Sequence, residues 1–169
     1  MSSAPGLLVN IDVDDLEAAL AFYTSTFGLR IGRRLGADGV EVLGTSAPLY
    51  FLAKAAGTSA SPKTSQVRTY ARHWTPVHLD FVVEEIESTV ERAIRNGATV
   101  EVPIATHNWG RIAVMADPFG HGFCVIQFLG RGYDEIAFQQ RLPVRQGDNS
   151  ARQGGYPGRW PFFGHQHLG

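Results

Sequence analysis

A residue pattern that recurs after 70 residues constrains the fold of this chain most. Segments 7–17 and 77–87 both show an alternating apolar run, an acidic pair and the beginning of an amphipathic helix. Only Val13 with Val83 and Glu17 with Glu87 are identical, so the two segments share residue classes rather than residues. An internal repeat of this kind predicts two copies of one supersecondary unit that pack into a common core.

The strand that opens each copy has two different faces, because side chains alternate along a strand. The apolar face is formed by Val9, Ile11 and Val13 in the first copy and by Leu79, Phe81 and Val83 in the second. The opposite face carries Asn10 and Asp12, and then His78 and Asp80. We expect the apolar face to cover a helix and the partly polar face to line a wet cavity.

An amphipathic helix and three short strands follow each opening strand. Apolar residues recur at intervals of three and four before Gly28 and before Gly97, which are good helix stops. The short strands are predicted over 29–35, 40–43 and 49–53, and over 99–103, 111–116 and 122–128. The predicted class is therefore α+β, with two tandem βαβββ modules whose curled mixed sheets surround a cup.

The chain divides into one domain over 1–139 and an irregular tail over 140–169. Module one covers 7–53, a linker covers 54–76, and module two covers 77–130. The tail is rich in Gly, Pro and Arg and has a net charge of +3, against −4 for the domain. Its aromatic residues favour docking on the domain or on a partner subunit, and a free extension is the alternative.

Two groups of residues resemble a known superfamily. They are Asp-Leu-Glu, Ala-Phe-Tyr and Phe-Gly-Leu at 15–17, 21–23 and 27–29, and Asp-Pro-Phe-Gly-His-Gly-Phe at 117–123. Over residues 7–130 the chain resembles the glyoxalase/bleomycin-resistance/dioxygenase superfamily, also called the vicinal oxygen chelate fold. The resemblance implies a single glyoxalase-like domain, a small-molecule ligand or substrate, and a homodimer that completes the cups.

The resemblance also implies where a metal would bind in metal-dependent members. The corresponding positions are Leu8, Tyr50 or Leu52, His78 and Cys124. Only His78 and Cys124 can coordinate a metal, whereas a catalytic site of the usual type needs three protein ligands. We therefore predict no cofactor, with a divalent metal as the alternative if a third ligand is present. Possible third ligands are His73, Asp80, His107 and the His-Gln-His of 165–167.

Further candidate site residues come from the expected cup. His78 and Asp80 are the candidate catalytic pair, the imidazole as acid or base and the carboxylate as its orienting partner. The candidate ligand-binding residues are Tyr50, Tyr70, Trp74, His107, Trp109, Arg111 and Cys124. Trp109 offers a flat face for an aromatic or glycosidic ligand, and the guanidinium of Arg111 offers two donors for a carboxylate, phosphate or enolate. The alternatives are hairpin packing for Trp109, a surface charge for Arg111 and a small buried apolar role for Cys124.

Two functions remain open. The first is a small-molecule-binding protein without a complete metal triad, which sequesters or orients an aromatic or polar metabolite in its cup. The alternative is an enzyme, either a metal-dependent lyase, isomerase or dioxygenase, or a metal-free acid–base catalyst that uses His78 and Asp80. A third donor beside His78 and Cys124 would favour the enzyme, and an apolar floor formed by Leu8 and Cys124 would favour binding.

Composition excludes several other classes of function. The net charge is −1, which argues against a nucleic-acid partner, and no apolar run approaches the ~20 residues of a membrane helix. Cys124 is the single cysteine, so an intrachain disulfide cannot form. With no signal peptide visible at the start, we expect a cytoplasmic protein.

Overall fold

The structure is a computed structural model and describes residues 5–73 and 75–137. Two βαβββ modules follow one another in this part of the chain, which confirms the predicted fold class. The predicted tail over 140–169 lies outside the described residues. No helix of residues 5–73 and 75–137 is long and apolar enough to cross a membrane.

Each module forms its own four-stranded mixed sheet. Module one contains β1 (Val9–Val13), α1 (Leu16–Phe27), β2 (Arg30–Arg34), β3 (Gly39–Leu43) and β4 (Leu49–Ala53). Module two contains β5 (Leu79–Val82), α2 (Ile86–Arg95), β6 (Thr99–His107), β7 (Gly110–Ala116) and β8 (Gly122–Phe128), followed by a 3₁₀ turn (Gly132–Glu135). The strand orders are β1-β4-β3-β2 and β5-β8-β7-β6, and only the β1–β4 and β5–β8 pairs are parallel.

The strand β6 is longer than the sequence pattern predicts. It continues past residue 103 to His107, because Ala105 pairs with Ile112 and His107 pairs with Gly110. The segment that we expected to be a loop is therefore the end of a β6–β7 hairpin, and Trp109 lies in its short turn.

Both modules contribute to one hydrophobic core. Aromatic side chains of α1 reach the inner face of the second sheet, where the Phe27 ring stacks on Phe81 at a centroid distance of 3.9 Å. Phe22 packs edge-on against Phe123 at 6.3 Å. The Tyr23 hydroxyl also donates a hydrogen bond of 2.8 Å to the buried carboxylate of Asp117, between β7 and β8. The helix-bearing faces of the sheets are thus closed against each other, as the apolar faces of β1 and β5 predict.

The linker crosses closely over the turn between β7 and β8. Gly120 has a φ of +87°, and a Cβ atom there would lie 2.6 Å from the carbonyl oxygen of Ala71. Gly28, at the end of α1, has a φ of +67°, but a Cβ atom added to it would meet no heavy atom within 4 Å. The two glycines therefore share an unusual backbone conformation but differ in the space around them.

We expect Gly120→Ala to lower the free energy of unfolding clearly more than Gly28→Ala. Both variants place an alanine in the left-handed region, at a cost of about 1–2 kcal/mol. Gly120→Ala also forces the linker away from the turn. Urea unfolding followed by tryptophan fluorescence measures the difference, and equal losses in the two variants would contradict the close approach.

Candidate functional site

Three side chains of types that can coordinate a metal converge on the face of the second sheet that does not carry α2. His78 directly precedes β5, Asp80 lies on β5, and Cys124 lies beside Asp80 on β8. His78 Nε2 is 3.2 Å from Asp80 Oδ1, and one ligand atom from each of the three residues lies within 4.8 Å of the others. We call the surface formed by His78, Asp80, Val82 and Cys124 the open face.

Asp80 is the common partner of the other two groups. Burial raises the pKa of the Cys124 thiol to about 12, and the charge of Asp80 and a hydrogen bond to it act in the same direction. A protonated thiol donates to the carboxylate, which also contacts the imidazole of His78. The structure thus brings together the predicted pair His78 and Asp80 and adds Cys124 to it.

A tyrosine that the sequence analysis missed lies next to this cluster. Tyr133, in the 3₁₀ turn after β8, has its pKa raised by burial and by the charge of Asp80. Its ring packs on Trp109 and Phe128 at centroid distances of 5.0 and 4.8 Å, yet the residue is 45% exposed. No periodic pattern marks residue 133, so its only sequence signal is an aromatic residue placed after the last strand.

Trp109 packs inside the hairpin rather than presenting a free ring. It is 2% exposed, and it contacts Tyr133 and the parallel ring of His107, whose centroid is 5.5 Å away. This is the packing role that the sequence analysis gives as the alternative. Trp109 therefore supports Tyr133 from behind, and His107 lies at the end of β6 beside it.

Arg111 faces α2 instead of the open face. Its guanidinium forms an ion pair with Glu87 in the first turn of α2, which lowers the pKa of that carboxyl. Arg111 also contacts Gln127, its partner in the β7–β8 register. The structure thus places the Arg111 guanidinium, which was predicted to bind an anionic group of the ligand, on the helix-bearing side of the sheet.

In module one, the face without α1 carries an ion-pair cluster. Glu41 accepts hydrogen bonds from Arg33 and from the Tyr50 hydroxyl, at 2.6 and 2.8 Å. The Arg33 guanidinium, with help from Tyr50, lowers the pKa of Glu41 to about 2. Tyr50 therefore lies on the expected face, but its hydroxyl is already hydrogen-bonded to Glu41. Because Gly32 has no side chain, there is space beside it for the Glu41 carboxylate.

The remaining predicted residues of the first half do not reach the cluster of module two. The Tyr70 hydroxyl donates to the carbonyl of Lys54 within the linker, at 2.6 Å. Leu8 is 57% exposed whereas Cys124 is buried, so they form no common apolar floor in this structure. Trp74 lies outside the described residues.

A family model described as the glyoxalase-like domain matches residues 8–126. This match spans both modules and ends within β8. The chain belongs to the glyoxalase-like domain family. The superfamily resemblance drawn from the phrases around α1 and at 117–123 is therefore confirmed.

Sequence relatives of this glyoxalase-like chain include proteins of Mycobacterium and Streptomyces. An uncharacterized protein of Mycobacterium tuberculosis is 31% identical over 155 residues, which cover 85% of each chain. The anthracycline biosynthesis protein DnrV of Streptomyces peucetius is 33% identical over 141 residues, or 81% of this chain and 46% of that protein. The chain thus corresponds to about half of the length of DnrV.

Solved structures share the fold at lower identity. The fosfomycin resistance protein FosX of Listeria monocytogenes, solved with Mn(II) and a dihydroxypropylphosphonic acid, superposes with a TM-score of 0.59. It is 18% identical, and the match covers 81% of this chain and all of that chain (100%). Likeness at this identity shows the fold of the glyoxalase-like chain and does not transfer an activity.

The raised pKa of Cys124 makes its thiol slow to react in the native state. At pH 8 a thiol of pKa about 12 is ionised in only about one molecule in ten thousand, and the thiolate is the reactive form. Asp80→Asn removes a negative charge beside the thiol, so we expect its labelling profile to move to lower pH. Iodoacetamide labelling between pH 7 and 10, followed by mass spectrometry, measures this shift at the single cysteine.

The urea-unfolded chain serves as the control for this labelling. Its exposed thiol titrates near pH 8.5, which is ordinary for cysteine. Native protein that is labelled at pH 8 as fast as the unfolded chain would contradict the raised pKa.

Proposed function

We propose that this glyoxalase-like chain binds a small organic molecule on the open face of its second sheet. The observation that carries the proposal is the convergence of His78, Asp80 and Cys124 at one point of that face. A few precisely placed polar groups in a largely apolar surround are typical of small-molecule sites. Here the surround includes Val82, which is exposed beside Asp80 on β5.

The aromatic residues next to the cluster favour an aromatic ligand. Tyr133 and Phe128 both keep part of their rings exposed, and Trp109 supports the Tyr133 ring from the buried side. A ring held in this way offers a rigid surface for stacking at a small cost in conformational entropy. The polar cluster beside it suits hydroxyl and carbonyl substituents of the same ligand.

The relative DnrV supports a more specific class of ligand. It is named an anthracycline biosynthesis protein, and anthracyclines are fused aromatic rings that carry hydroxyl and carbonyl groups. Because the chain spans only about half of DnrV, we carry over the chemistry of the ligand and not the activity. We propose an oxygenated polycyclic aromatic molecule as the ligand of the open face.

We further propose that a second copy of this chain completes the cup. Among the described residues, β1 pairs only with β4 and β5 pairs only with β8, so both strands are sheet edges. Leu7, Leu8, Val77 and Val82 are strongly exposed on or next to these edges. Exposed apolar edges of this kind are normally covered, and the superfamily resemblance implies a homodimer.

Tyr133→Leu should weaken the binding of an anthracycline probe by about tenfold, because stacking and ring burial are lost together. Asp80→Asn should weaken it as well, since the carboxylate organises the polar cluster. Both effects are measured by titrating doxorubicin with the full-length protein and following its fluorescence. Sedimentation velocity determines the oligomeric state of each variant.

Tyr70→Phe is the matched control, because it removes a tyrosine hydroxyl that is bonded within the linker. Its affinity should equal that of the native chain. Equal affinity of the native chain and of Tyr133→Leu would place any binding elsewhere, and a loss only in Tyr70→Phe would move the site to the linker.

A metal-dependent enzyme is the second candidate, and one observation favours it. The third donor that the sequence analysis requires is present, because Asp80 lies within 4.8 Å of the ligand atoms of His78 and Cys124. Imidazole, carboxylate and thiolate form a donor set that suits zinc, with a fourth position left for substrate. A metal would also lower the pKa of Cys124, since a coordinated thiol is deprotonated.

In that case His78, Asp80 and Cys124 would hold the metal, and a bound divalent cation would polarise an oxygen atom of the substrate. Tyr133 beside Asp80 and Cys124 would orient the substrate or donate a proton from its hydroxyl. The buried ring of Trp109 behind Tyr133 would keep water from that side of the site.

Elemental analysis of untagged protein, prepared without chelator, separates the two candidates. For the enzyme we expect close to one equivalent of a divalent metal per chain, lost in Asp80→Asn and in His78→Ala. A parallel sample without residues 165–167 is needed, because His-Gln-His can bind stray metal by itself. Absence of metal after incubation with zinc, iron and manganese would exclude this candidate and leave the binding protein.

A further inference from the structure

The turn between β7 and β8 contains an aspartate–histidine pair that lies apart from the open face. The Asp117 side chain is completely buried (0% exposed), and it accepts a hydrogen bond of 2.8 Å from the Tyr23 hydroxyl. Its other oxygen accepts from the backbone N–H groups of Phe119 and His121, at 2.9 and 2.8 Å. The ring atom Nδ1 of His121 lies 2.9 Å from Asp117 Oδ2.

These partners determine which nitrogen of His121 carries the hydrogen. Burial and the charge of Asp117 raise the pKa of Tyr23 well above its usual value, so this hydroxyl stays protonated and donates. A carboxylate that is surrounded by donors can only accept, and Nδ1 of His121 is therefore the protonated nitrogen. In the neutral ring Nε2 is then a hydrogen-bond acceptor, and within the described residues it forms no hydrogen bond.

His121 lines a cavity at the junction of the two modules. This cavity has a volume of about 420 Å³ and lies between the opening strands β1 and β5. Leu79 and Phe123 contribute to its apolar lining, and Asn10, Asp12, His78 and His121 to its polar lining. A volume of this size is within the range of small-molecule sites. His121 is not among the candidate site residues predicted from the sequence.

We propose that this junction cavity is a second binding site, for a small neutral molecule with an apolar body and a phenolic or enolic hydroxyl that donates to His121 Nε2. Asp117 is the positioning residue, because it holds the ring and its tautomer without reaching the ligand. The cavity shares His78 with the open face, but the hydrogen bond proposed here is to His121, and it does not depend on the ligand proposed for the open face.

The charges around the cavity favour a neutral donor over an anion. Asp12 lines the cavity, and its carboxylate is paired with Arg68 of the linker at 2.7 Å. Asp117 adds a second, buried carboxylate directly behind His121. Because Arg68 compensates the charge of Asp12, the uncompensated negative charge beside the cavity is that of Asp117, which disfavours an anion, whereas a hydroxyl group needs only the acceptor that His121 offers. Asn10, at the rim, can hydrogen-bond a second polar group of the ligand.

Phenol and anisole form a matched pair of probes, since anisole replaces the hydroxyl by a methoxy group and cannot donate. Titration of the ¹⁵N-labelled full chain, followed by two-dimensional NMR, should show phenol-dependent shifts at His121 Nε2, Asn10 and Leu79. We expect anisole to bind about fivefold to tenfold more weakly, which is the effect of one hydrogen bond.

His121→Asn separates the proposed binding role from a purely structural role of the turn. The asparagine amide can take the place of Nδ1 and donate to Asp117, but it has no group at the position of Nε2. We expect native-like thermal stability and a phenol affinity reduced about fivefold to tenfold, to the level of anisole. His121→Gln, which can place its amide oxygen near the position of Nε2, should recover part of the affinity.

His73→Gln is the control for a general effect of the histidines nearby, because its ring centroid lies 6.4 Å from that of His121. It should bind phenol as the native chain does. Equal affinity for phenol and anisole, unchanged phenol affinity in His121→Asn, or shifts confined to Asp80 and Cys124 would each overturn the proposal. Absence of any phenol-dependent shift at millimolar concentrations would overturn it as well.

Discussion

The buried carboxylate of Asp117 is the polar contact on which the packing of the two modules depends. Burying a charge is costly unless hydrogen bonds replace its hydration, and here four donors do so. One of them, the Tyr23 hydroxyl, comes from the helix of the other module. The carboxylate thus holds α1 against the second sheet, and the stacked rings of Phe27 and Phe81 complete the contact.

This packing decides which faces of the sheets remain available for chemistry. Both helices and the aromatic core occupy the inner faces, so polar side chains collect on the opposite faces and at the junction between β1 and β5. In module one, Arg33 neutralises Glu41 on that face, and the Tyr50 hydroxyl donates a hydrogen bond to the same carboxylate. In module two the carboxylate of Asp80 instead meets an imidazole and a thiol, two groups that can coordinate a metal. The two modules therefore share a fold but not a chemistry.

Much of the fold could be predicted from period-two and helical patterns, because each strand and helix buries one face. The position of Trp109 could not be predicted, because the predicted strand ended at residue 103. Register shifts in the pairing of β6 with β7 alter which residues of the two strands face each other, and β6 continues to His107. Within β7 the alternation itself groups Arg111 with the buried Ala113 and Met115, which explains its contact with α2.

The sequence by itself determined the repeat and the two βαβββ modules, because these follow from local patterns of apolar residues. It also determined the pairing of His78 with Asp80, because these residues are two positions apart in the chain. Only the tertiary structure decided that Cys124 adjoins Asp80, that Tyr133 borders them and that His121 meets Tyr23 through Asp117. Those contacts join residues from different strands, turns and modules. Their distances follow from sheet register and helix docking, which summed packing energies determine and no local pattern encodes.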